Sequence, residues 1–203
     1  MFNRLKSMIG SSKTASSPND GLDKQSMDEI LETAMQQIQA GESLAGIQSV
    51  MNVVSELEKT APDTPILAHG YYNAAVCCLG SGQESNAVDL LRKASAIKGD
   101  DKDSQKDRLT YMMNLGDVLT RIGDLNEAEK HLKIGLEERE YFYGESHPGV
   151  AFGLTPLAAN LLAQGRAEEA VPLIDRAVNI NIEAGQPEAV SYTHLTLPTI
   201  YSV

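Results

Sequence analysis

Four histidines, two adjacent cysteines and a surplus of carboxylates are the residues of this chain whose types could do chemistry, yet their spacing does not assemble them. His69, His131 and His147 are scattered, and His194 stands in a C-terminal tail. There is no His-Glu-x-x-His pair to set two imidazoles on one helix face for a metal, and no Cys-x-x-Cys. A Gly-rich loop with a following Lys to cradle phosphate is missing, as is a Gly-x-Ser-x-Gly elbow to present a nucleophile. Cys77 and Cys78 are neighbours, and neighbours in a helix point about 100° apart, which suits buried reduced thiols better than a bridge. Runs of Glu on helix faces read as solvated surface. The chain is therefore expected not to be an enzyme; no catalytic residue, metal or cofactor is assigned.

The balance of residues points to binding instead. Hydrophobic residues make up 42% of the 203, aromatics only 5%, and Trp is absent, a composition suited to closely packed helices with small and aliphatic contacts. The formal charge is -11, unevenly placed: residues 1–26 carry a net +2, leaving -13 on the rest. An acidic body repels phosphate backbones, so nucleic acid is not an expected partner. No apolar run reaches membrane-spanning length and the N-terminus MFNRLKSMIG lacks a signal-peptide core, so a cytoplasmic location is expected.

The elements that position side chains show themselves as a repeat. Gly41, Gly82, Gly123 and Gly165 recur at spacings of 41, 41 and 42, and five residues after each stands a small residue: Gly46, Ala87, Ala128 and Ala170. Glycine ends one helix where a left-handed residue is needed, and the small residue lets the next helix come close. Pro65 and Pro148 precede corresponding first helices, where a missing N–H does no harm, with Thr64 and His147 at or beside the caps. Asp124 with Glu127 is expected to cap the second helix of its unit. Each unit is a helical hairpin that buries its apolar face only against its neighbours, the signature of a solenoid. Order is expected from Ser26, where Ser26-Met27-Asp28-Glu29 makes a capping box. Residues 1–26, rich in Ser, Lys, Asp and Gly, read as a disordered leader.

These units resemble tetratricopeptide repeats, most of all the longer kinesin-light-chain type. The residues that carry the resemblance are Asn114-Leu115-Gly116, Gly123 to Ala128, the linker Gly144-Glu145-Ser146-His147-Pro148, Leu157-Ala158 and Gly165 to Ala170. It covers about residues 27–189 and implies an all-α, right-handed solenoid of four helix-turn-helix repeats with the start of a fifth at Pro187. The resemblance also implies a concave groove, lined by the first helices, that binds a peptide or protein segment. On matching positions the groove would present His69, Tyr72, Asn73, Thr110, Met113, Asn114, Asp117, Arg121 and Phe152, with Asn73 and Asn114 placed to hydrogen-bond a ligand backbone. Pro156 takes that place in the fourth unit and departs from the pattern. Met112, Leu115 and Leu119 read as core, and Tyr141-Phe142-Tyr143 as packing between units. Leu31 and Met35 stand where a chaperone-tail clamp would need Lys and Asn.

The tail VSYTHLTLPTIYSV breaks the repeat, with Pro198 where a helix interior is expected. Written as GTC TCT TAT ACA CAT CTG ACG CTG CCG ACG, the codons of Val190 to Thr199 resemble a transposase adapter used for sequencing libraries. Residues 190–203 are accordingly expected to be translated adapter, and the natural protein to continue past 189. The expected function is a scaffold or adaptor that binds a protein or peptide, its acidic body favouring a basic or polar segment. The alternative is the regulatory repeat region of a larger enzyme or signalling protein.

Overall fold

A computed structural model describes residues 23–185. Eight helices fill these residues: α1 (Lys24–Gln39), α2 (Ser43–Thr60), α3 (Pro65–Gly80), α4 (Glu84–Ala96), α5 (Lys102–Ile122), α6 (Leu125–Tyr143), α7 (Pro148–Ala163) and α8 (Ala167–Glu183). Consecutive helices pair as hairpins and each hairpin packs on the next, while the first helices α1, α3, α5 and α7 also pack against one another. The result is an all-α solenoid with the first helices along its inner side. Of those three inner approaches, α3 to α5 is the loosest. The leader up to residue 22, the fifth helix expected at Pro187 and the tail lie outside the described residues.

The landmarks in the repeat do the work their chemistry suggests. Gly41, Gly82, Gly123 and Gly165 all adopt positive φ, between 73° and 88°, in the turns between paired helices. Five residues on, Ala87, Ala128 and Ala170 are wholly buried, and Gly46 sits so close to α1 that an added Cβ would lie 2.5 Å from the Ala34 carbonyl oxygen. Pro65 and Pro148 open α3 and α7, where no intrahelical donor is lost.

Three caps and packing roles differ from the sequence reading. The first helix starts at Lys24 under an Asp23 cap, whose carboxylate accepts the Ser26 N–H at 2.8 Å and its hydroxyl at 2.7 Å. Aspartate there satisfies an orphan donor one turn earlier than the Ser26 box would. Asp124 does stand at the N-cap of α6, but its side chain makes no capping hydrogen bond. Tyr141 is 95% exposed and packs between no units, whereas Phe142 meets Tyr143 edge-on and Tyr143 stacks on His147 with ring centroids 4.7 Å apart. His147 is structural: its Nδ1 accepts the Gly149 N–H at 3.0 Å and closes the start of α7.

The core forms two clusters that meet in the second hairpin. Met27, Leu31, Val50, Val54, Leu67, Tyr71 and Cys77 belong to one, and Cys78, Leu91, Leu115, Leu132, Leu154 and Ala170 to the other. Outside, ion pairs step from each second helix to the next. Lys93 reaches Glu58 at 3.4 Å, Arg92 reaches Glu127 at 2.8 Å, and Arg166 reaches Glu129 at 2.6 Å.

Candidate functional site

The third hairpin supplies the most open stretch of the inner face. Along α5 the residues at three- and four-residue intervals are Asp107, Thr110, Asn114, Asp117 and Arg121, so they share one side of the helix. All five keep some exposure while Leu109, Met112, Leu115 and Leu119 around them are buried. This stripe faces the inner side of the solenoid, between α3 and α7.

Its polar groups are partly engaged with the protein itself. The Asn114 amide donates to the Thr110 carbonyl at 3.0 Å and also meets the Tyr72 hydroxyl from α3. Thr110 Oγ1 donates to the Lys106 carbonyl at 3.2 Å and lies 3.4 Å from a terminal nitrogen of Arg139. Arg121 pairs with Glu84 at the start of α4. On α7, Phe152 is 40% exposed and covers the Arg139 guanidinium at 4.8 Å. Arg139 is buried with no carboxylate beside it; the Gly149 carbonyl accepts from it at 2.8 Å, and burial pulls its pKa down to about 10. Pro156 leaves α7 unbroken but cannot donate to the Phe152 carbonyl, so that acceptor on the same wall has no helical N–H.

Toward the first hairpin the inner face is filled. His69 bridges two helices, its Nε2 2.7 Å from Asp28 of α1 and its Nδ1 3.2 Å from the Tyr111 hydroxyl of α5. Tyr72 stacks on Tyr111 with centroids 4.8 Å apart, and Lys24 reaches from α1 past α3 to Asp107 at 2.5 Å. Large rings and polar side chains thus occupy the place where α3 and α5 pack most loosely.

Of the nine residues expected along the groove, Tyr72, Thr110, Asn114, Asp117, Arg121 and Phe152 retain exposure on the inner face. Two expectations are corrected. Asn73 is 1% exposed and its amide donates to the Met27 carbonyl at 3.3 Å, which makes it a tie between α3 and α1. Met113 is likewise 1% exposed and packs toward Gly135 of α6, because one position along a helix turns a side chain by about 100° off the stripe. His69 is placed on the inner side but nearly closed off by Asp28 and Tyr111. Lys24, Asp28 and Asp107 also reach this inner face, with Tyr111 buried behind them, and none of the four is among the expected groove residues. For Asp107 the signal lay in the sequence, three residues before Thr110 on the same stripe.

Among the described residues no group of three His, Cys, Asp or Glu side chains could hold a metal ion, and no helix is long and apolar enough to cross a membrane. The two thiols are buried, which pushes Cys77 up to about 12 and raises Cys78 as well.

Stacked helical hairpins with an accessible inner stripe define an α-solenoid of helical repeats. The tetratricopeptide repeat family model matches residues 107–183 of this chain, most of the third and fourth hairpins. Its fold is similar to that of the kinesin light chain, nearly identical TPR-like repeats of Podosopora anserina, at 20% identity and a TM-score of 0.65 over 86% of this chain and 93% of that one. It is also similar to BtubC (BKLC) from P. vanneervenii, at 18% identity and a TM-score of 0.59 over 90% of this chain and 84% of that one. No curated protein matches the sequence.

Proposed function

We propose that this protein is an interaction scaffold that holds a segment of a partner protein along the inner face of its solenoid, chiefly on α5 and α7. The observation that carries the reading is the partly exposed stripe Thr110, Asn114, Asp117 and Arg121, set on a rigid helix opposite the exposed Phe152. Polar groups flanking an aromatic side chain are what an extended segment needs: main-chain partners of both kinds and a surface for one apolar side chain. The Asn114 amide oxygen supplies an acceptor, the Arg121 guanidinium has donors beyond its pair with Glu84, and the Phe152 carbonyl adds an acceptor that Pro156 leaves without its helical partner. The tetratricopeptide fold supports the same class of function, with partners that are proteins or peptides.

The test begins with selection of binders from a random dodecapeptide library against the full chain, followed by mapping of amide shifts on the selected complex. Shifts should concentrate on α5 and α7. The double change Asn114→Ala with Asp117→Ala should weaken the selected peptide about tenfold or more, as the loss of two polar contacts requires, with helicity unchanged. Binding that survives both changes places the segment elsewhere.

A further inference from the structure

We propose that the inner face of the first three hairpins takes a basic side chain, a lysine or arginine of the bound segment, and that Lys24 occupies this place in the unbound chain. The inference rests on the groove reading above and names the partner's chemistry.

The site stands on an aromatic pair and two carboxylates. Tyr72 stacks on the buried Tyr111 where α3 and α5 pack most loosely, and the Asp107 and Asp28 carboxylates lie near both rings. Both carboxylates act on both phenols, and with burial as the largest cause they push Tyr72 up to about 12 and Tyr111 higher still. Two carboxylates that keep part of their exposure above this pair favour a cation through charge-assisted hydrogen bonds. Behind this surface, at the α1–α3 seam, the buried Asn73 amide donates to the Met27 carbonyl at 3.3 Å while its oxygen has no hydrogen-bond partner. The chain already seats an ammonium on the surface itself: Lys24 Nζ lies 2.5 Å from Asp107, 83 residues away.

Lys24 is poorly suited to be a permanent tie. It stands in the first turn of α1, where the helix dipole disfavours a positive charge. Its side chain stays 44% exposed and that of Asp107 31%, and exposed pairs contribute at most about 1 kcal/mol. A partner cation that also gains main-chain contacts along α5 can displace it. The formal charge of -11 draws basic segments toward the surface in the first place.

The experiment measures anisotropy of a fluorescein-labelled decapeptide of alternating Lys and Ser against the full chain, with its fully acetylated and its Glu-for-Lys counterparts. Expected are binding of the lysine peptide alone and tightening by roughly three- to fivefold in Lys24→Ala, the fold-change of a lost internal pair of up to ~1 kcal/mol. Asp107→Asn should weaken it about tenfold, Lys24→Arg should behave as the natural chain, and Glu137→Gln, the same charge change on an outer helix, should leave it unaltered. Equal weakening by Glu137→Gln and Asp107→Asn would overturn the proposal, because attraction would then be to net charge only. So would unchanged or weaker binding in Lys24→Ala with α1 intact by amide shifts. If library-selected peptides still map to α5 and α7 while Asp107→Asn is neutral, the scaffold reading stands and the basic-residue site falls; if both probes map to the outer helices, both fall.

Discussion

Single residues show how far type and spacing can be read. Asn73 and Asn114 occupy matching places in consecutive repeats, yet one is sealed between α3 and α1 and the other is open on α5. The difference comes from how closely the neighbouring first helix approaches, which no local pattern records. Glu129 is a residue whose charge the fold holds in place. Lys133, Gln164 and Arg166 converge on it at 2.6, 2.9 and 2.6 Å, and those bonds pull its pKa from 4.5 to about 2. A depressed carboxylate stabilises the fold fully above its unfolded value and loses that contribution as pH falls through the folded one. Acid titration should therefore show a loss between about pH 4.5 and pH 2 that Glu129→Gln lacks, the variant starting on the order of 1 kcal/mol less stable at neutral pH. Parallel acid limbs for the two proteins would count against this clamp between the third and fourth hairpins.

At the scale of elements, the hairpins were legible because their punctuation is chemical. Positive-φ glycine, a small residue five places on and proline at the first helical position mark most of the repeat boundaries seen in the structure. Less legible were the details set by contact between units: the Asp23 cap, the idle Asp124 side chain, and the inward polar stripe completed by Asp107. The small residue tolerates different amounts of bulk along the chain. Alanine fits at 87, 128 and 170, whereas at Gly46 its methyl group would press on the Ala34 carbonyl, a backbone atom unable to swing aside. Gly46→Ala should thus lower stability by ~1–3 kcal/mol, despite the better helix propensity of alanine. Urea unfolding checks it, and a midpoint equal to or above that of the natural chain would mean α2 shifts away from α1 at little cost.

For the whole molecule, stability is shared along a line, each hairpin leaning on the next, and the two core clusters divide that line at the second hairpin. Cys77 and Cys78 straddle the division: the first sulfur is buried in the N-terminal cluster and the second in the C-terminal one. Adjacent in the chain, they nonetheless look into different halves of the protein. Burial holds both as protonated thiols, so reagents that attack thiolates must wait for the surrounding packing to part. In Cys78→Ala and Cys77→Ala, each carrying one remaining thiol, labelling should proceed at different rates, and a substitution such as Gly46→Ala should speed only the Cys77 reaction. Identical acceleration at both sulfurs would show a single cooperative opening. The doublet thereby equips the solenoid with a built-in pair of clocks, one timing the breathing of each half.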